Sequence, residues 1–347
     1  LVSYNSDLLF VESFNEDSLN VVHPGDGKVI GKIRLPRTVE YFRIHPNNKI
    51  AYASDPVKDS LYEISLMEWR VLRQKKVDDI TAIEYNPVNK TLMVARVNTT
   101  VGVNITINGL NEETFSTESE IIYAHKDIFP NFGSPVTNDK FYFNPADSIL
   151  WFARNVSTST YIFNARLSLA QPQLYLRKFN SNRYPKQVYG FATLNNRLFT
   201  LCFAFHPTSF SDRTQVIEMD SIANYSGLGA FLVFPTTTYT GFAHSKILNR
   251  LFCGDFYYSS LSFVNPFGTF WTKSIGVGKI PSNIGISPVF NQGYTLNLDG
   301  SSISAINLIS ESVSKTINLG FKPKHFEGGF VANYNPYYQK PVVTSLS

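Results

Sequence analysis

The chain has 347 residues, 43% of them apolar and 14% aromatic but only 17% charged, enough for a packed core and too apolar for a mainly disordered chain. Its 31 Lys and Arg against 27 Asp and Glu are scattered, so the formal charge of +4 leaves no nucleic-acid footprint. No stretch approaches the roughly 18 uninterrupted apolar residues of a spanning helix, and two cysteines exclude both a disulfide framework and a thiolate metal cluster.

From the N-terminus, residues 7–12 (DLLFVE) and 18–22 (SLNVV) have the character of strands, and 29–35 (VIGKIRL) alternates as a third. A recurring unit then begins. Its first strand ends in x-Pro, at 41–46 (YFRIHP), 82–87 (AIEYNP), 140–145 (KFYFNP), 284–288 (IGISP) and 331–336 (VANYNP), with degenerate copies at 188–194 (VYGFATL) and 239–244 (YTGFAH). After an Asn-rich turn comes a second strand: 49–55, 91–96, 149–154, 197–202, 250–255 and 293–299. Third strands alternate at 60–65, 160–164, 260–265 and 302–307, and fourth strands at 70–77, 273–277 and 314–319. No window carries a sustained 3.6-residue apolar stripe, so helix is nearly absent.

From Pro46 to Pro336 six intervals span 290 residues, about 48 each, the length of a four-stranded propeller blade. The sequence therefore predicts an all-β fold, a single seven-bladed β-propeller of four-stranded antiparallel blades over residues 1–347. The chain opens on a second strand and finishes on a spare first strand, 330–336, so one blade is expected to combine residues 7–35 with 325–336. Residues 337–347 then form a C-terminal tail without a partner in the ring. Its Val342, Val343 and Thr344 have strand propensity, and the tail is expected to fray or to dock on a neighbouring copy by strand addition.

Segment 274–288 (SIGVGKIPSNIGISP), its partial copy at 317–323 (INLGFKP) and the strand ends at Asp55, Asn155, Asp255 and Asp299 resemble the YVTN-repeat β-propellers, a family with surface-layer and lactonase-like members. The resemblance implies a propeller, and as activities either a non-catalytic binding or assembly module or a lactonase-like hydrolase working in the central channel. Blades three to five depart from the pattern through longer loops.

The recurring Asp and Asn at strand ends suit Asx turns, in which the side-chain oxygen accepts a backbone N–H two residues on. The acidic run 111–120 (NEETFSTESE) lacks EF-hand spacing and is read as a solvated loop. Of six histidines none forms a metal motif, although His45, His244 and His325 lie at or near first strands that converge on the axis. Neither a nucleophile elbow nor a phosphate-binding loop is present, so no catalytic residue, metal ligand or cofactor is assigned.

Binding is assigned to the aromatic segment 255–272, through Tyr257, Tyr258, Phe267, Phe270 and Trp271, because rigid amphipathic rings on turns suit protein or glycan contacts. Cys202 and Cys253 fall on second strands of adjacent blades, two residues out of step, which leaves a disulfide and two buried free thiols both open. Five Asn-x-Ser/Thr sequons, at Asn89, Asn98, Asn104, Asn155 and Asn224, all fall where a glycan would spare the core. Together with Leu1 in place of an initiating Met, they point to a processed, secreted or surface-displayed chain.

Overall fold

The computed structural model describes residues 6–36, 38–98, 103–125, 139–156, 159–169, 171–177, 185–206, 211–219, 230–233, 239–246, 248–267, 271–287 and 290–331. The expected strands assemble into seven four-stranded antiparallel sheets. The first blade begins with β1 (Ser6–Ser13), β2 (Ser18–His23) and β3 (Lys28–Arg34), and the second holds β4 (Tyr41–Ile44), β5 (Ile50–Asp55), β6 (Ser60–Ser65) and β7 (Arg70–Lys76). The third comprises β8 (Ile80–Asn86), β9 (Thr91–Asn98), β10 (Val103–Asn111) and β11 (Thr117–His125). The fourth has β12 (Lys140–Asn144), β13 (Ile149–Val156), β14 (Ser159–Arg166) and β15 (Tyr175–Arg177), and the fifth β16 (Pro185–Leu194), β17 (Arg197–His206), β18 (Ser211–Met219) and β19 (Ala230–Val233). The sixth consists of β20 (Tyr239–Ser245), β21 (Arg250–Asp255), β22 (Ser260–Val264) and β23 (Trp271–Gly276), and the seventh of β24 (Pro281–Ile286), β25 (Gln292–Asn297), β26 (Ser302–Asn307) and β27 (Ser312–Asn318).

The last strand, β28 (Pro323–Val331), returns to pair antiparallel with β1, from Ser6 opposite Val331 to Ser13 opposite Pro323, and completes the first blade as the sequence expected. Its described part starts two residues ahead of the expected 325, because the eight-residue β1 is paired along its whole length. Residues 332–336 of the closing segment and the tail 337–347 lie outside the described residues.

Packing explains the ring as directly as the pairing does. Successive side chains of a strand point to opposite faces, and both faces of every blade are covered by a neighbour. Thus Leu8 and Phe10 of β1 pack with Phe42, Ala51 and Ala53 of the second blade, while Leu9 and Val11 pack with Tyr294, Leu296 and Ile303 of the seventh. Seven such apolar clusters occupy the seven spaces between neighbouring blades. Covering on two faces is why the second strands read as unbroken apolar runs, such as Leu150, Trp151 and Phe152, all fully buried. Outer strands face a neighbour on one side at most, and β7 alternates exposed with half-buried residues.

The Asn-rich turns have a conformational cause. Asn48, Asn196 and Asn249 adopt φ of 55°, 61° and 52°, the left-handed region that Asn tolerates better than most residues. Strand-end acceptors behave as expected at Asp55, whose Oδ1 takes the N–H of Val57 and Lys58 at 3.0 Å each. The seventh blade corrects the sequence reading. Asp299 is exposed, and the buried counterpart is Asn297, which faces Ser302 as Asp55 faces Ser60 and Asp255 faces Ser260.

Candidate functional site

First strands meet their counterparts at the axis, and register aligns one side chain from each. Arg43, Glu84, Tyr142, Ala192, Ala243 and Gly285 lie opposite Tyr52, Met93, Trp151, Phe199, Phe252 and Tyr294, the equivalent places on six second strands. Glu327 holds the seventh place, opposite Phe10. The layer is lopsided, with charged or phenolic groups in blades two to four and small residues in blades five to seven. Gly241 shows how close the backbones come on the small side, since a Cβ there would meet the Ser282 carbonyl at 2.7 Å.

On the polar side the groups are joined across blades. Arg43 Nε donates to Glu84 Oε2 at 3.4 Å, and Glu84 Oε1 accepts the Tyr85 N–H at 2.9 Å. The Tyr142 hydroxyl donates to Thr193 Oγ1 at 2.8 Å. Burial raises the Glu84 carboxyl, with Arg43 opposing. Nearer the blade-connecting end, Asp139 gathers three blades. Its carboxylate accepts Arg154 Nη1 at 3.1 Å and the Asn155 N–H at 3.2 Å and bonds the Thr81 hydroxyl, and its main chain meets the Tyr41 hydroxyl. Enclosed on all sides, the Asp139 carboxyl is pushed up to about 7 by burial in spite of Arg154. Lys140 follows directly, its amine pushed down to about 8 by burial and the neighbouring Arg43 charge, with Asp139 opposing.

This constellation escaped the sequence reading. Its signal was nevertheless present, since Arg43, Glu84 and Tyr142 each stand three residues ahead of the proline that marks a first strand. His45 and His244 are each accounted for without a metal, and the His325 side chain lies outside the described residues. His45 Nε2 lies 3.1 Å from Glu112 Oε2, to which the Tyr85 hydroxyl also donates at 2.5 Å, and burial lowers His244 to about 4. Glu112 therefore belongs to a clasp between the second and third blades and not to a solvated loop. Among the described residues no group of three or more His, Cys, Asp or Glu is placed to hold a metal.

The aromatic segment divides. Asp255 Oδ1 accepts the N–H of Tyr257 at 2.9 Å and of Tyr258 at 3.1 Å, fixing a turn on which the two rings are 72% and 62% exposed. They meet edge to face, centroids 5.2 Å apart. The half-buried Phe267 ring lies against Phe199 and the Arg197 guanidinium between the fifth and sixth blades. Phe270 and the Trp271 side chain lie outside the described residues.

Cys202 and Cys253 are free and fully buried, and they pack into different inter-blade clusters, so no bridge joins them. Burial raises both thiols, Cys202 to about 12. Asn89 and Asn98 are exposed and Asn104 half-buried, with Asn98 and Asn104 opposite each other on β9 and β10, while Asn224 lies outside the described residues. Asn155, by contrast, is 1% exposed. Its Nδ2 donates to the Val188 carbonyl at 3.0 Å, and its Oδ1 accepts the Val188 N–H at 2.8 Å and the Thr160 hydroxyl at 2.8 Å. The next blade covers it, which local sequence does not record. Peptide mapping of protein from a secreting host is expected to find Asn155 unmodified. Asn155→Ala should cost about 1–3 kcal/mol in denaturant unfolding, since it strands both Val188 groups.

No family model matches the sequence, and no curated protein matches it significantly. Solved structures do. A putative 6-phosphogluconolactonase from Bacteroides uniformis superposes at a TM-score of 0.65 with 12% identity, covering 94% of this chain and 99% of that one. The periplasmic gluconolactonase PpgL of Pseudomonas aeruginosa gives 0.61 with 13% identity over 94% and 99%, and apo AztD from Citrobacter koseri gives 0.63 with 10% over 95% and 99%. The shared property is the seven-bladed propeller fold. At these identities the likeness carries no activity across.

Proposed function

We propose that the chain is a non-catalytic binding module, secreted or displayed at a cell surface, that engages a protein or glycan through the face carrying Tyr257 and Tyr258. The observation that carries this reading is the rigid, exposed tyrosine pair. An Asx turn has already fixed the backbone that carries the two rings, so binding orders little further main chain. The same face carries exposed Phe14 and Val57 on the corresponding turns of the first and second blades, β1 to β2 and β5 to β6. Exposed Asn89 and Asn98 are the sequons this reading expects to be occupied, and the tail 337–347 is its proposed route to self-assembly.

A lactonase-like activity in the channel is the second reading, favoured by the Lys140 amine, which burial and the Arg43 charge lower while Asp139 opposes. Against it, Glu84 and Tyr142 are already committed to bonds between blades. A glycan array and intact cells, probed with wild type and with Tyr257→Ala/Tyr258→Ala, separate the two readings. Loss of roughly 2 kcal/mol or more of binding in the variant, with an unchanged thermal midpoint, is the expected result. Lactone turnover by the wild type above background, or equal binding by both proteins, would overturn it.

A further inference from the structure

A small pocket lies where the first blade hands the chain to the second. Leu19, Leu35, Pro36 and Val39 give it aliphatic walls, and Glu12 and Glu16 bring carboxylates to it. Those walls are tied in place. The Leu35 N–H donates to the Asp17 carbonyl at 3.2 Å, the Val39 N–H to the Pro36 carbonyl at 3.1 Å, and Lys324 Nζ to the Val39 carbonyl at 2.6 Å. Glu12 is the anomaly. It is only 7% exposed, yet among the described residues neither of its carboxylate oxygens accepts a hydrogen bond. Lys324 Nζ stands 3.9 Å off, beyond hydrogen-bond distance.

A buried carboxylate without donors is costly, and a pocket beside it gives a donor from outside a place to sit. The lining selects that donor. Its polar side chains, Glu12, Ser13, Glu16 and Ser18, all accept hydrogen bonds, and no Lys, Arg or His is among them. Glu16 already accepts the Ser18 hydroxyl at 3.0 Å and Lys32 Nζ at 2.7 Å, which leaves Glu12 as the deep acceptor. Half of the lining is aliphatic, too little oxygen for the roughly six ligands of a hard cation but well suited to methylene groups. The space has room for about one water-sized group, which an ammonium head matches. We propose that this pocket binds a primary ammonium group on an aliphatic stem, the chemistry of a lysine side chain or of a small free amine. Glu12 and the two serine hydroxyls accept its N–H groups, and the aliphatic walls cover the first methylenes. The pocket adjoins the β1–β2 turn, on the face that carries Tyr257 and Tyr258, but it requires neither ring and does not rest on the binding-face reading.

Thermal midpoints at about pH 8 test it, above the value of about 7 to which burial lifts the Glu12 carboxyl and below that of an alkylamine. With n-butylammonium chloride titrated at constant ionic strength, wild type should show a saturable rise that tetramethylammonium, which has no N–H, does not reproduce. Glu12→Gln keeps the shape of the side chain and should weaken the apparent affinity roughly ten- to hundredfold. Nα-acetyl-lysinamide is titrated alongside: binding tighter than that of butylammonium assigns a lysine of another protein, weaker binding a free amine. Arg37 adjoins Pro36 and lies outside the described residues, so Arg37→Ala is included and should bind as wild type does. Equal shifts with both ammonium ions, or an unchanged affinity in Glu12→Gln, would overturn the site. So would the absence of any saturable shift in wild type, the result for a pocket that holds water alone, and so would binding seen only in Arg37→Ala, where the chain's own guanidinium is the occupant.

Discussion

Ending the chain at Lys322 is expected to turn a cooperatively folding ring into an aggregating one. The truncation removes β28 and with it the ladder along β1, whose Leu8, Leu9, Phe10 and Val11 are all fully buried. It also removes Lys324, whose ammonium donates to the Val39 carbonyl at 2.6 Å and so ties the closing strand to the connection leading into the second blade. A long apolar strand edge is a template for pairing between chains. The clusters on either side of the first blade would be opened together, a loss on the order of the whole net stability of a domain, about 5–15 kcal/mol. Light scattering and thermal unfolding measure it. A truncated protein that melts cooperatively at the wild-type temperature would show that closure does not hold the ring.

Replacing Glu12 by Gln is expected to stabilise the protein increasingly as pH rises from 4.5, with the full gain reached above about 7. Glu12 sits at the irregularity where the β1–β28 register shifts between Val11 and Ser13. It borders a small pocket with Leu19, Leu35, Pro36 and Val39, and among the described residues neither of its carboxylate oxygens has a hydrogen-bond partner. Lys324 Nζ stands 3.9 Å away. Burial raises the carboxyl from 4.5 to about 7, Lys324 opposing and Glu40 adding. Since the folded value lies above the unfolded one, the native state holds the extra proton between these limits. Stability is therefore greatest below the unfolded value, falls as pH rises through the window, and is lowest above about 7. The full difference corresponds to about 3 kcal/mol. Asp139 adds a slope of the same sign, which the variant retains. Denaturant midpoints from pH 4 to 8 should converge for wild type and Glu12→Gln at the acid end, diverge from 4.5 to about 7 and keep a constant gap above it. Parallel curves would show that Glu12 is ionised at no cost.

What could be read from the sequence was whatever each blade repeats. The x-Pro ending recurs because a first strand pairs with one neighbour only, so a proline that donates no ladder bond is tolerated there. The fourth strands of blades three to five, β11, β15 and β19, left no such mark. Outer strands bury little, β27 only one residue in seven, so their composition is loosely constrained. Residues whose surroundings the neighbouring blade supplies were the hardest to read. Asn155 has the local pattern of a surface sequon until Val188 covers it, and Phe267 the pattern of a turn aromatic until Phe199 and Arg197 meet it. The Arg43–Glu84 pair spans 41 residues, so no short window contains it.

The register of the closing pair has a mechanical meaning. Ser6 lies opposite Val331, so the first and last described residues stand on adjacent strands, side by side at one end of the same ladder. Tension between the flanking segments pulls across the strands and opens that ladder one rung at a time. The remaining six blades, each a continuous stretch of chain, carry none of that load until the first blade has peeled away. The seam that seals the ring is thus its weakest point under force, and a tether at a single end leaves it unstrained.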